Sequence, residues 1–271
     1  MVQIHSPLLI FPSNVYKQYL FQYIFVKNKK TERLWEIDSL RGIAIIMMII
    51  YHIIFDLNYF KIYATDLYSA PILFFLYPIG TMFLLLFGIS LTISYSRVQK
   101  TLTEKQLHLK FLKRGLVVFS LGLIITLVTW IYLKEGFIVF GILHCIGVSI
   151  ILAYPLIKYR YQNLIIGTIL IVLGILLRTI RFDFNWLLWL GFIPSRFYTL
   201  DYFPLIPWFG VVLIGIFLGN TFYHDSKRKL KIKDISQNIA IRFMCFLGRH
   251  SLIIYLLHQL IIIAIIHLIF L

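Results

Sequence analysis

Acidic residues are scarce in this chain: 11 Asp and Glu stand against 26 Lys and Arg in 271 residues. Charge of either sign makes up only 14% of the sequence and hydrophobic residues 60%, which lies outside the range of soluble globular domains. The shortage of charge marks an integral membrane protein. The formal charge of +15 therefore reports membrane sidedness before it reports nucleic acid, and no nucleic-acid partner is expected. Cysteine is limited to Cys145 and Cys245, without CxxC or metal-ligand spacing, which argues against a disulfide framework or a zinc site; no metal is expected. A Walker loop, GxSxG, HExxH and GxGxxG are also missing. The start of the chain lacks a basic n-region with a small-residue cleavage site, so no cleaved signal peptide is expected. No repeat of 20 to 50 residues and no pair of inverted halves stands out, which weighs against a transporter.

What is present is a series of long apolar runs. Residues 8 to 26 are broken by Pro12, Ser13, Asn14, Lys17, Gln18 and Gln22, so residues 1–32 read as an N-terminal interfacial segment and 33–271 as the transmembrane domain. Seven spans follow, at about 33–60, 71–95, 115–133, 137–157, 164–180, 204–222 and 250–270. Pro78 marks a kink in the second, and Gly88, Gly215 and Gly219 permit close helix contact. Residues 181–203 mix Trp, Arg and Asp and read as an interfacial or re-entrant segment. Sorting Lys and Arg by side places 21 with the N-terminus, the 96–114 loop, residues 158–160 and the 224–249 loop, against 5 on the other side. The expected fold is therefore an all-α polytopic bundle of about seven transmembrane helices with a cytoplasmic N-terminus.

The first span carries ionisable residues where lipid penalises them. His52 and Asp56 lie four apart and share a helical face, so the carboxylate is placed to orient the imidazole. Arg41 stands eleven residues earlier, within about 20° of that face and roughly 16 Å away along the axis. Depth counted at about 1.5 Å per residue brings His144 and His258 to the level of His52, three histidines that need a cavity. On the last helix Ser251, Tyr255 and His258 share a face by i, i+4, i+7 spacing.

The run Glu36-x-Asp38-x-Leu40-Arg41-Gly42-x-Ala44 ending in His52 resembles the first helix of the large integral-membrane acyltransferase superfamily, in which arginine and histidine stand ten residues apart. The resemblance is strongest to its heparan-α-glucosaminide N-acetyltransferase-like group. Further matches are FGISL at 87–91, FGILHCIGVS at 140–149, DYFPLIPWFGVVLIGIFLG at 201–219 and SLIIYLLH ending at His258. The resemblance implies transfer of an acyl group, usually acetyl from acetyl-CoA, to a sugar amine or hydroxyl on the opposite face of the membrane. It makes His52 the catalytic histidine and Arg41 a donor-site residue.

Geometry adds Asp56, His258 and Tyr255 as catalytic candidates, and His144 and Ser251 as donor-binding ones. The expected partners are acyl-CoA, a sugar or lipid-linked glycan acceptor and the lipid bilayer of the cell membrane, with a homodimer allowed for. The competing class is a proton-coupled transporter or flippase using His52, Asp56 and His258 as a relay.

Overall fold

The computed structural model describes residues 33–67, 69–224 and 227–270; the interfacial segment expected at 1–32 lies outside them. Among the described residues eight α-helices follow one another: α1 (Trp35–Tyr59), α2 (Ala70–Val98), α3 (Glu104–Leu133), α4 (Ile142–Ala153), α5 (Tyr161–Leu177), α6 (Leu205–Phe222), α7 (Ile239–Arg249) and α8 (Ser251–Phe270). A two-residue antiparallel ladder, β1 (Tyr223–His224) with β2 (Lys227–Arg228), is the only sheet among the described residues. The fold is an all-α polytopic membrane bundle.

Helices α1, α2, α3, α6 and α8 are long and apolar enough to cross a membrane, and Ile142–Leu156 and Tyr161–Leu177 are shorter apolar helices. The most apolar window of α6 is 56% buried and that of α3 only 6%, so α6 is central and α3 lies at the periphery. Lipid gives no hydrophobic drive between helices, and close backbone approach replaces it. A Cβ on Gly215 would meet the Leu85 carbonyl and the Gly88 backbone of α2, and one on Gly210 would lie 2.6 Å from the Gly167 carbonyl of α5. Leu84, Leu91, Ile150, Val212, Leu213 and Ile216 fill the centre with no exposed surface.

Three segments differ from expectation. The polar loop expected at 96–114 is helical from Glu104, because Leu107, Phe111 and Gly115 recur at four-residue spacing and are buried. Thr103 and Gln106 form a reciprocal capping box at its start, satisfying two end donors. The basic loop expected to run to residue 249 contains α7. Asn238 caps it by accepting from the Ala240 N–H at 2.9 Å, and its buried Cys245 and Gly248 face α1. There a Cβ on Gly42 would strike the Met244 carbonyl, and one on Gly248 the Asp38 carbonyl. This close fit is what lets a short amphipathic helix pack on α1.

The start of the fourth expected span, residues 137–141, is extended rather than helical. Phe140 pairs with Tyr202, the Phe203 N–H donates to the Phe140 carbonyl at 2.9 Å, and the Leu200 N–H donates to the Gly136 carbonyl at 3.0 Å. Residues 181–203 are irregular apart from a 3-10 turn at Leu188–Leu190. Irregular backbone inside a membrane protein persists where its polar groups find partners, and these pairs supply them.

Candidate functional site

An elongated cavity of about 550 Å³ runs inside the bundle, within the roughly 300–1,000 Å³ common for small-molecule sites. Its lining includes Arg41, Ser90 and Arg114 near the end where the basic loops gather, and Arg178, Asp201 and Tyr202 at the far end. Between them the wall is apolar and aromatic, with Met48, Phe83, Phe87 and Ile146, and it includes His52, Ser251 and Tyr255. Of the residues singled out from the sequence, Arg41, His52, Ser251 and Tyr255 open on this cavity; Asp56, His144 and His258 do not.

The stripe read on α1 accounts for the first two, since residues eleven apart return to one face. The Arg41 guanidinium is held by Asp38 Oδ1 at 3.0 Å and donates to Ser90 Oγ at 2.5 Å. Arg114, on α3, donates to Ser94 Oγ at 3.4 Å. His52 Nδ1 lies 2.8 Å from the Met48 carbonyl. A carbonyl only accepts, so Nδ1 carries the proton, and in the neutral ring Nε2 keeps the lone pair.

The pairing of His52 with Asp56 is not formed. Both Asp56 oxygens accept from Gln259 Nε2 on α8, at 2.8 and 2.9 Å, and the carboxylate is 2% exposed. Sharing a face with His52 was a correct consequence of helix geometry, but the amide of a neighbouring helix takes both oxygens. Sequence spacing along α1 contains no sign of Gln259, although it directly follows His258.

His52 instead meets His258, with ring centroids 4.6 Å apart and planes at 83°. His258 Nδ1 donates to the Tyr255 carbonyl at 2.6 Å. The expected layer of three histidines is not complete, because His144 faces α3. Its Nδ1 accepts from the Gly141 N–H at 3.2 Å, its Nε2 donates to Thr126 Oγ1 at 3.4 Å, and its ring packs against Phe119 and Phe140. It fixes the start of α4. The direction in which His144 points from its helix turns it away.

Asp201 was not singled out. Its Oδ2 accepts from the Ile142 N–H at 3.3 Å at the start of α4, and burial pushes its carboxyl up to about 6. Beside it on the cavity wall Arg178 lies 5.9 Å above the Tyr77 ring. An acid at the edge of a mixed loop looks like flanking charge in sequence. Only the pairing of that loop with residues 136–140 turns it inward. Among the described residues no three His, Cys, Asp or Glu side chains are placed to hold a metal ion.

These features define an integral-membrane helix bundle that holds a cavity with guanidinium groups at one end, a carboxylate and a further arginine at the other, and an imidazole between. The family model for heparan-alpha-glucosaminide N-acetyltransferase, catalytic, matches residues 33–260. The chain belongs to that family of membrane acetyltransferases. The match spans every residue of the candidate site. No curated protein and no solved structure matches the chain.

Proposed function

We propose that the protein moves an acetyl group from acetyl-CoA to an amine or hydroxyl of a sugar, with the donor at the basic end of the cavity and the acceptor at the far end. The observation that carries this reading is that Arg41 and His52 open on the same cavity. Arg41 and Arg114 offer planar cations suited to phosphate oxygens, with the Ser90 hydroxyl between helices as a further polar contact. The apolar stretch past Phe83, Phe87 and Ile146 suits an uncharged arm leading to a thioester. Bound acetyl-CoA supplies the activated acyl group.

The remaining steps belong to the chain. With Nδ1–H held by Met48, His52 Nε2 is the basic nitrogen, placed to take a proton from the acceptor or to carry the acyl group first. Tyr255 and Ser251 supply hydroxyl donors on the same wall for the developing oxyanion. Asp201 and Arg178 give the far mouth groups that meet a polar acceptor such as a sugar or lipid-linked glycan. By the distribution of Lys and Arg, the basic end faces the cytosol and the site of action is the cell membrane. The relay needed by a proton-coupled transporter joins His52, Asp56 and His258, and Asp56 is instead tied to Gln259.

The test is acetyl transfer from labelled acetyl-CoA by purified protein. His52→Ala should lower the rate by about 10²–10⁴-fold, the usual contribution of a positioned base, without changing the melting temperature. Wild-type protein that neither transfers nor hydrolyses the acetyl group refutes the proposal.

A further inference from the structure

His258 presents an energetic puzzle that packing alone does not solve. It is 8% exposed, its Nδ1–H is satisfied by the Tyr255 carbonyl, and its Nε2 is buried with no hydrogen-bond partner among the described residues. A buried acceptor without a donor costs free energy, and a phenylalanine would fill the same space without that cost. The ring lies edge-to-face against His52, with centroids 4.6 Å apart. Asp56, the other group that might serve His52, has both oxygens engaged by Gln259. A lone pair is therefore stored beside the imidazole that opens on the cavity.

We propose that His258 is a positioning residue for His52, its Nε2 accepting a hydrogen bond from the N–H that His52 gains during acetyl transfer. The inference rests on His52 acting as the base. As the acceptor's X–H bond breaks and the X–acyl bond forms, the proton passes to His52 Nε2. The imidazolium then has two N–H groups, and Met48 satisfies one. Rotation about a side-chain bond brings the second to the His258 lone pair, close at hand across the ring contact. The leaving CoA thiolate then takes that proton, which releases free thiol and restores the resting tautomer. His258 accepts a hydrogen bond only while His52 carries the extra proton, never takes that proton itself, and never touches the substrate.

The experiment compares His258→Phe and His258→Gln in the full chain, following acetyl-CoA consumption with glucosamine as acceptor. Phenylalanine keeps the ring and removes the nitrogen; glutamine places an amide oxygen at about the reach of Nε2. The expected result is a fall of at least tenfold in kcat for His258→Phe, an unchanged KM for acetyl-CoA, an unchanged or higher melting temperature, and recovery of most of kcat in His258→Gln. Wild-type kcat in His258→Phe overturns the proposal, since the ring's shape would then suffice. Equal losses in both variants with lowered melting temperatures overturn it too, by making the role structural. If glucosamine is not acetylated but acetyl-CoA is hydrolysed, hydrolysis provides the same comparison. A wild-type chain inert to acetyl-CoA removes the base assignment itself, and this inference with it.

Discussion

Replacing Gln259 by leucine separates two roles for Asp56, a brace between helices or a catalytic partner of His52. The substitution removes two hydrogen bonds, at 2.8 and 2.9 Å, from a carboxylate that is 2% exposed. Interhelical hydrogen bonds in membranes average about 0.6 kcal/mol, and bonds to charged groups reach about 1.5–3 kcal/mol. Two bonds to a carboxylate sealed from water give a loss of about 3 kcal/mol on those scales. At about 2–4 °C per kcal/mol for a chain of this size, the melting temperature in detergent should fall by roughly 6–12 °C. Asp56→Asn should behave differently. Gln259 Oε1 is buried without a partner, and an asparagine amide can donate to it while its oxygen still accepts from Nε2. That variant should melt close to wild type and keep most of its kcat. The reasoning is refuted if Gln259→Leu melts like wild type. It is equally refuted if Asp56→Asn abolishes turnover while leaving the melting temperature alone, because Asp56 would then act on His52 after all.

Arg41→Ala should raise KM for acetyl-CoA about 10–100-fold with a smaller effect on kcat, from the loss of a charge-assisted contact worth about 1.5–3 kcal/mol at about 1.4 kcal/mol per tenfold; an unchanged KM would move the donor elsewhere. Gly215→Leu would drive a side chain into the Leu85 carbonyl and the Gly88 backbone, and overpacking of this kind costs about 1–3 kcal/mol, seen as a lowered melting temperature with no compensating gain in activity. Asp201 has a folded-state carboxyl raised to about 6, above the ordinary value of about 3.9. Folding therefore favours its protonated form, and its contribution to stability declines as pH rises from about 4 to about 6 and is level beyond. Asp201→Asn should remove that component, so the difference in melting temperature between variant and wild type should grow across this window; a constant difference would show that Asp201 is not perturbed.

The membrane bundle was legible because apolar runs long enough to cross a bilayer are rare outside membrane proteins, and the helix starts and ends fell near the Gly, Pro and basic clusters. The Arg41–His52 stripe was legible for a local reason: helical geometry alone fixes which residues of α1 share a face. Most misreadings at the site are matters of a partner supplied by another element. Asp56 is claimed by Gln259, 203 positions later. His144 is turned towards Thr126, and Asp201 becomes part of the cavity through an extended pairing that no local pattern announces. Helix α7 was hidden by its length of 11 residues and by the basic run before it, which together look like a charged flank.

Helix α1 holds Arg41 and His52, yet its neighbours α7 and α8 begin only at Ile239 and Ser251. During synthesis α1 must wait in the bilayer, its Asp56 without the amide that will neutralise its cost, until Gln259 has followed 203 residues later. A ribosome that stops short of Gln259 would leave α1 packed on α2 but with the Asp56 carboxylate unmatched, a defect of the kind that membrane quality control detects. The last two helices described thus act as the latch of biogenesis, and the candidate site is complete only once they have arrived.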